Sequence, residues 1–318
     1  MRHATVRAGS CVAAVAAAVA GLVASAAPLP IATRSQAEET PRAIPLLVSA
    51  SWLAERLGEP GLTVIHVGDK ADYEAGHIPG ARLLTLAEVS TPRGQGLSLQ
   101  LPAVDTLEAL FEGLGVTDEG RVLLYFGKDQ LTPTTRIFFT LDWLGFGART
   151  ALLDGGLPAW RAEGHEVTGE VPPPSRGQFT PRPKPDAVAD RAWVEGNLST
   201  PTVALVDARL PQFYTGDDDG RGRIPRPGHI AGAGTLPFSQ LVDEAGRFRQ
   251  RDAIEALLGL AGVEPGDTVV VYCHIGQQAS AVYFASRLLG RDVRLYDGSY
   301  EEWAATPTLP IETGPPRR

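Results

Sequence analysis

The sequence predicts an α/β protein made of two tandem domains, each a largely parallel sheet flanked by helices. The chain has 318 residues, which is about twice a typical domain length. Residues 105–126 recur as residues 252–273, with eight of 22 positions identical at one fixed offset. Within each copy, short apolar runs alternate with amphipathic segments, and this alternation is typical of parallel strands joined by helices.

Two further segments recur in the same order. Residues 76–81 match 228–233, and residues 154–160 match 297–303, at slightly different offsets that indicate loop insertions. The copies define an N-terminal domain over residues 44–167 and a C-terminal domain over residues 186–312. Residues 168–185 contain six prolines, so we expect an extended linker that does not join a core.

The elements follow the same order in both copies. A strand comes first, then an amphipathic helix that ends at a glycine, then a strand buried on both faces, a second helix and a last short strand. In the second copy we assign these elements to Val203–Val206, the helix of Ile254, Leu257 and Leu258 before Gly262, Val269–Val271, Ser280–Leu289 and Val293–Tyr296. In the first copy Leu62–Val67 is the opening strand, and the helix contains Leu107, Leu110, Phe111 and Leu114 before Gly115.

Residues 1–26 have the three-part pattern of a secretory signal peptide. Basic residues precede an uncharged run rich in Ala, Val and Leu, and Ala24-Ser25-Ala26 offers small residues for cleavage. We expect cleavage after Ala26, export to the periplasm and a mature chain that is not bound to a membrane. An uncleaved anchor is the alternative, although alanine is only weakly apolar.

Composition excludes several classes of function. The formal net charge is -8, so we expect no nucleic-acid partner, because no basic surplus is present to neutralise phosphates. The two cysteines, Cys11 and Cys273, exclude a disulfide framework and a cysteine-rich zinc site. The histidines lack the i, i+4 spacing of a helical zinc site, and we expect no metal.

Signal cleavage would leave Cys273 as the single thiol. An unpaired cysteine in an exported chain is a candidate reactive thiol, and a buried, inert cysteine is the alternative. Cys273 stands directly after the predicted central strand and before the predicted helix, where ligands bind in open α/β sheets. Free N–H groups at a helix start favour an anion. If the loop curls around Cys273, these N–H groups stabilise its thiolate and so activate the thiol.

This arrangement resembles the rhodanese family, the thiosulfate/3-mercaptopyruvate sulfurtransferases. The resemblance covers about residues 44–312 as a tandem pair of rhodanese-like domains. It rests on a Cys-x-x-Gly loop from Cys273 to Gly276, on Gly76-His77-Ile78 and Gly228-His229-Ile230, and on Val206–Arg209 and Asp297–Ser299. The resemblance implies a catalytic C-terminal domain and an inactive N-terminal domain, because Phe126 occupies the position equivalent to Cys273.

The family chemistry implies a two-step sulfur transfer. The Cys273 thiolate attacks the sulfane sulfur of thiosulfate, sulfite leaves, and a persulfide forms that a thiophilic acceptor such as cyanide or a thiol then consumes. This is covalent catalysis, in which loop N–H groups stabilise the anion. The resemblance implies a thiosulfate sulfurtransferase that needs no metal or organic cofactor, and we expect a monomer with small-molecule partners.

The resemblance implies that the donor binds along the loop formed by His274, Ile275, Gly276, Gln277 and Gln278. Relatives that prefer thiosulfate commonly have cations here, whereas this loop has only His274 as a group that could be charged. His274 either tunes the thiolate and binds the donor or only bonds to backbone.

Phe213 also stands where relatives often have an arginine. We therefore expect Arg209, Arg251 and Arg249 as candidates that meet the donor's charge. An ion pair between Arg209 and Asp207 is the alternative role for that arginine.

Three other functions are alternatives to a thiosulfate sulfurtransferase. A 3-mercaptopyruvate sulfurtransferase differs only in the donor. A non-catalytic sulfane-sulfur carrier or docking module would keep the fold without turnover. A cysteine-dependent phosphatase needs arginine at the sixth position after the cysteine, and Ala279 stands there, which argues against this class.

Overall fold

A computed structural model describes residues 44–92, 94–128 and 131–316. The predicted signal peptide over residues 1–26, with Cys11, lies outside the described residues. Within them, no helix combines the length and the apolar character that crossing a bilayer requires.

The first domain contains five strands and five helices in the described residues. The strands are β1 (Leu47–Val48), β2 (Leu62–Val67), β3 (Arg82–Leu84), β4 (Arg121–Phe126) and β5 (Thr150–Leu153). The helices are α1 (Ala50–Ala54), α2 (Lys70–Ala75), α3 (Val104–Gly113), α4 (Leu131–Trp143) and α5 (Gly156–Ala162). Short 3-10 turns occur at Leu86–Val89 and Gly147–Arg149.

The second domain repeats this order and adds a small antiparallel pair of strands. Its strands are β6 (Val188–Ala189), β7 (Val203–Asp207), β8 (His229–Ile230), β9 (Gly234–Thr235), β10 (Thr268–Tyr272), β11 (Asp292–Tyr296) and β12 (Ile311–Glu312). Its helices are α6 (Arg191–Asn197), α7 (Pro211–Thr215), α8 (Arg251–Leu260), α9 (Ala279–Leu288) and α10 (Ser299–Ala305). Short 3-10 turns occur at Pro185–Ala187 and Phe238–Leu241.

The two sheets have the same topology. The strand order is β1-β5-β4-β2-β3 in the first domain and β6-β11-β10-β7-β9 in the second, and every pair within these two sheets is parallel. Strand β12 pairs with β8 in antiparallel register. The predicted fold of two largely parallel sheets flanked by helices is thus confirmed.

Glycines end the first amphipathic helix of each domain, as the sequence predicts. Gly115 follows α3 with φ +81°, and Gly262 follows α8 with φ +84°. These values lie in the left-handed region, which glycine adopts without the steric penalty of a Cβ atom. Each helix therefore stops where the chain must turn toward the buried central strand.

Helices α4 and α9 join the two domains. Phe138 packs edge to face on Phe284, with ring centroids 4.8 Å apart, and Phe139 does the same on Tyr283 at 5.1 Å. One hydrophobic cluster continues from the first sheet through this contact into the second. Helix α9 is buried on all sides from Ala279 to Ser286. This burial explains why serine and tyrosine are the only polar residues in this range, and why no charged residue occurs there.

The proline-rich segment is extended, but the expectation that it stays outside a core is wrong. Phe179 is 2% exposed, and its ring meets those of Phe111 and Phe146 edge to face at 5.8 and 5.3 Å. Backbone N–H groups of Arg182 and Lys184 donate to carbonyls at the end of α4 and just after it. Prolines impose the extended shape, and the buried Phe179 ring together with these hydrogen bonds fixes the segment to the first domain.

The substitution Phe179→Ala is expected to lower the free energy of unfolding by about 3 kcal/mol, because it removes a buried ring and leaves a cavity. Val171, in the same segment, is 65% exposed, so Val171→Ala should change stability by less than about 0.5 kcal/mol. Urea denaturation of both variants measures the difference. Equal stability of the two variants would show that the ring contributes nothing.

Candidate active site

Cys273 stands at the carboxyl edge of the second sheet. Strand β10 lies between β7 and β11 and ends at Tyr272, and α9 begins at Ala279. The loop between them turns at Gly276, where φ is +83°. A Cβ atom on Gly276 would lie 2.8 Å from Nη1 of Arg136. Both the backbone conformation and the available space therefore favour glycine there.

The backbone of this loop is held through its carbonyl groups. The carbonyls of Cys273 and His274 each accept a hydrogen bond of 2.9 Å, from the N–H groups of Tyr300 and Glu301 at the start of α10. The Cys273 N–H donates to Ser299 Oγ at 3.3 Å. In contrast, the N–H groups of residues 274–278 have no acceptor in the described part of the chain. Five donors next to a helix start are thus free to bind an anion.

The side chain of Cys273 is not open to solvent. The residue is 0% exposed and belongs to the hydrophobic cluster shared by the two domains. Burial agrees with the alternative of an inert cysteine, whereas the free N–H groups beside it are the feature that anion binding requires. In this conformation a sulfur donor reaches the thiol only after a neighbouring segment moves.

A cavity of about 620 Å³ borders the loop, within the range of small-molecule sites. His274 and Ile275 line it from the loop, and apolar side chains such as Phe213 cover much of its wall. Arg223 is a cation at this cavity that the sequence did not single out, and its Nε donates to Gly220 O at 2.8 Å. The first domain contributes Ser98.

His274 is a neutral side chain at physiological pH. Burial, and after it the nearby positive charge of Arg209, lowers its pKa from 6.5 to about 4. The imidazole meets the Phe213 ring edge to face, with centroids 4.6 Å apart. The one loop side chain that could supply a cation therefore does not supply one.

The structure gives Arg209 the role of an ion-pair partner. Its side chain is fully buried, Nη2 lies 2.6 Å from Asp207 Oδ2, and the same nitrogen donates to Gly228 O. The guanidinium also lies over the Tyr300 ring at 4.0 Å. Burial opposes its charge, but Asp207 outweighs burial and raises the pKa of Arg209.

The structure does not bring Arg251 to the loop. Its Nη1 donates to the carbonyl of Leu288 at the last turn of α9, and the loop lies at the opposite end of that helix, about 15 Å away at 1.5 Å per residue. Arg249 donates to Gln240 O. In this arrangement neither arginine contacts a sulfur donor bound beside Cys273. The expectation that Arg251 binds the donor is therefore wrong, because Arg251 lies too far from the loop.

The first domain supplies an arginine to this region that the sequence reasoning missed. Arg136, on α4, has a fully buried side chain whose Nη2 lies 2.6 Å from Asp297 Oδ1. The same nitrogen donates to Leu99 O at 2.6 Å. The signal in the sequence was a lone charge among the apolar and hydroxyl side chains of residues 131–141.

Other contacts from the first domain hold the loop and the start of α10. Gln277 Nε2 donates to Thr132 Oγ1 at 3.0 Å. Residues 98–101, which we call the strap, form hydrogen bonds with α10 and with Asp297, which lies just before that helix. The Ser98 N–H donates to Glu301 Oε2 at 2.8 Å, and the Leu101 N–H donates to Asp297 Oδ2 at 3.1 Å. Oε1 of Gln278 has no hydrogen-bond partner among the described residues.

The side chains around Cys273 do not form a set suited to metal coordination. Among the described residues, no group of three or more His, Cys, Asp and Glu side chains is placed to hold a metal ion. The site instead combines one cysteine, free backbone N–H groups and cations at its margin. This set suits a nucleophilic thiol that acts on an anion.

Comparison with known proteins agrees with this class. The sequence model of the family described as "Rhodanese-like domain" matches residues 49–163 and 190–306. A thiosulfate sulfurtransferase of Corynebacterium glutamicum is 35% identical over 283 residues, covering 84% of this chain and 90% of that protein. A thiosulfate sulfurtransferase of Pseudomonas aeruginosa is 32% identical and covers 85% and 97%. From the same organism, a "Probable 3-mercaptopyruvate sulfurtransferase" is 32% identical and covers 84% and 98%.

Solved structures show the same architecture. The crystal structure of YnjE superposes with a TM-score of 0.76 at 25% identity, covering 85% of this chain and 68% of that one. A variant of EanB in complex with hercynine gives 0.75 at 24% identity, with 85% and 70% covered; at that identity the likeness concerns the fold alone.

Fold and site together define a protein with two tandem rhodanese-like domains, of which the second carries a cysteine loop. The chain belongs to the rhodanese family of sulfurtransferases.

The depressed pKa of His274 predicts acid sensitivity. Unfolding restores its pKa from about 4 to 6.5, so stability is full above pH 6.5 and falls as pH drops toward 4. Between pH 7.5 and pH 5, the wild type should lose about 1–2 kcal/mol more than His274→Gln. Urea unfolding at both pH values measures this difference. An NMR titration midpoint near 6.5 for the His274 ring would contradict the prediction.

Proposed function

We propose that the protein is a thiosulfate sulfurtransferase in which Cys273 carries the transferred sulfur as a persulfide. The observation that carries this proposal is the set of free N–H groups over residues 274–278, directly after Cys273 and before α9. These donors are fixed by the fold, so binding a negative charge needs little reorganisation. Membership of the rhodanese family supports the same chemistry.

The reaction divides into two displacements at sulfur. The Cys273 thiolate attacks the outer sulfur of thiosulfate; a sulfur–sulfur bond forms to Cys273, the sulfur–sulfur bond of thiosulfate breaks, and sulfite leaves with the electron pair. A thiophilic acceptor then attacks the outer sulfur of the persulfide, and the Cys273 thiolate is regenerated. Each half is covalent nucleophilic catalysis, which gives ping-pong kinetics.

The cavity beside the loop is a route by which an anionic donor could enter, and most of its lining residues belong to the second domain. Arg223 places a cation on its wall, and His274 and Ile275 connect the wall to the cysteine loop. Because Cys273 is fully buried, a segment that covers the loop, such as the strap, must move to admit the donor. Ser98 of the strap and Glu301 both line the cavity, so release of their hydrogen bond widens it directly.

A preference for 3-mercaptopyruvate is the second candidate. The loop has no cationic side chain, His274 is neutral because burial lowers its pKa to about 4, and Phe213 adds apolar surface to the cavity. A carbon skeleton gains more from this wall than the compact, fully charged thiosulfate ion does. The relatives include proteins named for both donors.

The substitution Cys273→Ser is expected to abolish sulfur transfer while the folded structure is kept, because a hydroxyl does not form the persulfide. After exposure to thiosulfate, the wild type should gain about 32 Da, the mass of one sulfur atom added in the covalent step. Intact mass, far-UV circular dichroism and turnover with thiosulfate plus cyanide measure these effects. Residual transfer in Cys273→Ser would end the mechanism.

The choice of donor and the question of catalysis are decided in the same assay. We expect kcat/KM for thiosulfate to exceed that for 3-mercaptopyruvate, and the reverse order would establish the second candidate. A wild-type protein that gains the sulfur adduct but does not turn over with cyanide or small thiols is a carrier. Absence of the adduct with both donors would favour a docking module.

We also propose that the protein is exported to the periplasm after cleavage behind Ala26, on the basis of the charge, apolar run and small residues of positions 1–26. The mature N-terminus, obtained from the native host and sequenced, is expected to begin at Ala27. An intact Met1 on a membrane-bound chain would instead establish the anchor, and an intact Met1 on a cytosolic chain would exclude export.

A further inference from the structure

Arg136 is the least satisfied buried cation near the cysteine loop. A guanidinium has five N–H donors, and the two hydrogen bonds that Arg136 makes both come from Nη2. Its Nε and Nη1 are buried without a partner among the described residues. Leaving such buried donors without a partner is unfavourable, so a purely structural role leaves this arrangement unexplained.

The unpartnered end of Arg136 lies against the cysteine loop. Nη1 occupies the space beside Gly276, 2.8 Å from where a Cβ would stand, and Gly276 is three residues after Cys273. The nearest negative group is Asp297, which is also bound by the Leu101 N–H of the strap. Nη1 of Arg136 thus lies beside the loop whose N–H groups are free, and the two come from different domains.

Arg209 provides an internal comparison, because it is the other fully buried arginine in the described residues. Its Nε and Nη2 are both bound to Asp207, and only Nη1 lacks a partner. Asp207 lies two residues away in the same domain, which marks a self-contained ion pair. Arg136 has its counterion in the other domain and keeps the donors of two nitrogens free.

We propose that Arg136 binds the anionic group of the sulfur donor, so that the first domain completes the site of the second. This inference rests on the proposed function. Nη1, which lies beside the loop, donates to an oxygen atom of the sulfonate end of thiosulfate, and a carboxylate offers an acceptor of the same kind. When the sulfur–sulfur bond breaks, the leaving sulfite keeps the electron pair and remains paired with the guanidinium.

The strap explains how the donor reaches a buried arginine. Ser98 lines the cavity, and the next residue, Leu99, covers Arg136 through its carbonyl. Leu99 itself has φ +56°, a left-handed conformation that is strained for a residue other than glycine. Displacement of the strap relieves this strain and opens a path from the cavity to Nη1.

The test compares Arg136→Gln with Arg136→Lys and with a matched control. The control is Lys184, which forms an ion pair of 3.0 Å with Asp142 on α4. Lys184→Gln therefore also removes a positive charge paired with an aspartate, but away from the cysteine loop. We expect Arg136→Gln to raise KM for thiosulfate and the inhibition constant of sulfite by about tenfold or more, as loss of charge-assisted hydrogen bonds requires. Arg136→Lys should be intermediate, and Lys184→Gln should match the wild type.

A purely structural role would have a different signature. Unchanged KM and sulfite inhibition in Arg136→Gln, with kcat reduced or not, would overturn the proposal, as would the same rise in Lys184→Gln. At saturating thiosulfate, Arg136→Gln should still form the Cys273 persulfide by intact mass. That result separates this proposal from the proposed function, which fails if the wild type forms no persulfide or does not turn over, or if Cys273→Ser retains transfer.

A second measurement uses the unmodified protein, in case substitution of Arg136 prevents folding. Crystals soaked in sulfite should show the anion within hydrogen-bond distance of Nε or Nη1 of Arg136. Sulfite bound elsewhere in the cleft, or no bound sulfite at concentrations that inhibit turnover, would contradict the assignment.

Discussion

The packing of α4 against α9 is the interaction on which the candidate site depends. The two helices interlock through aromatic pairs, with Phe138 on Phe284 and Phe139 on Tyr283. Helix α9 begins at the cysteine loop, and α4 carries Arg136, so one contact sets the positions of groups from both domains. Because protein interiors are close-packed, α4 cannot shift without moving the loop. The tandem pair therefore acts as one unit at the site.

The two domains share the same strand order and the same hydrogen bond at the end of the central strand, but the residue that follows the hydrogen-bonded tyrosine differs. The hydroxyls of Tyr125 and Tyr272 each accept a hydrogen bond of 3.0 Å from the Ile residue of the repeated Gly-His-Ile segment. The next residue is Phe126 in one domain and Cys273 in the other. A Cβ on Gly156 would lie 2.7 Å from the Phe126 ring, so that ring packs against the start of α5. An apolar contact thus stands in the first domain where the second domain has its cysteine.

Much of this arrangement follows from the sequence because it depends on local patterns. The buried Val269–Val271 strand, the helix after Cys273 and the glycine stops at Gly115 and Gly262 are set by residues near one another in the chain, and their repetition reinforces each assignment. Burial of Phe179 could not be predicted, because proline content determines backbone shape and says nothing about one aromatic side chain. Arg136 was missed because its contacts lie about 160 residues away at Asp297 and in the strap.

Local cations matter because the protein as a whole repels its proposed donor. A chain of net charge -8 gives a dianion no long-range attraction, and salt screens exposed charges beyond about 8 Å at physiological ionic strength. Binding must then come from groups that act at contact, in a region where water is excluded and hydrogen bonds to ions are stronger. The second domain's loop offers neutral N–H groups and a neutral His274. The nearest buried charge with free donors stands on α4, so an isolated second domain would retain the cysteine while lacking the cation beside it.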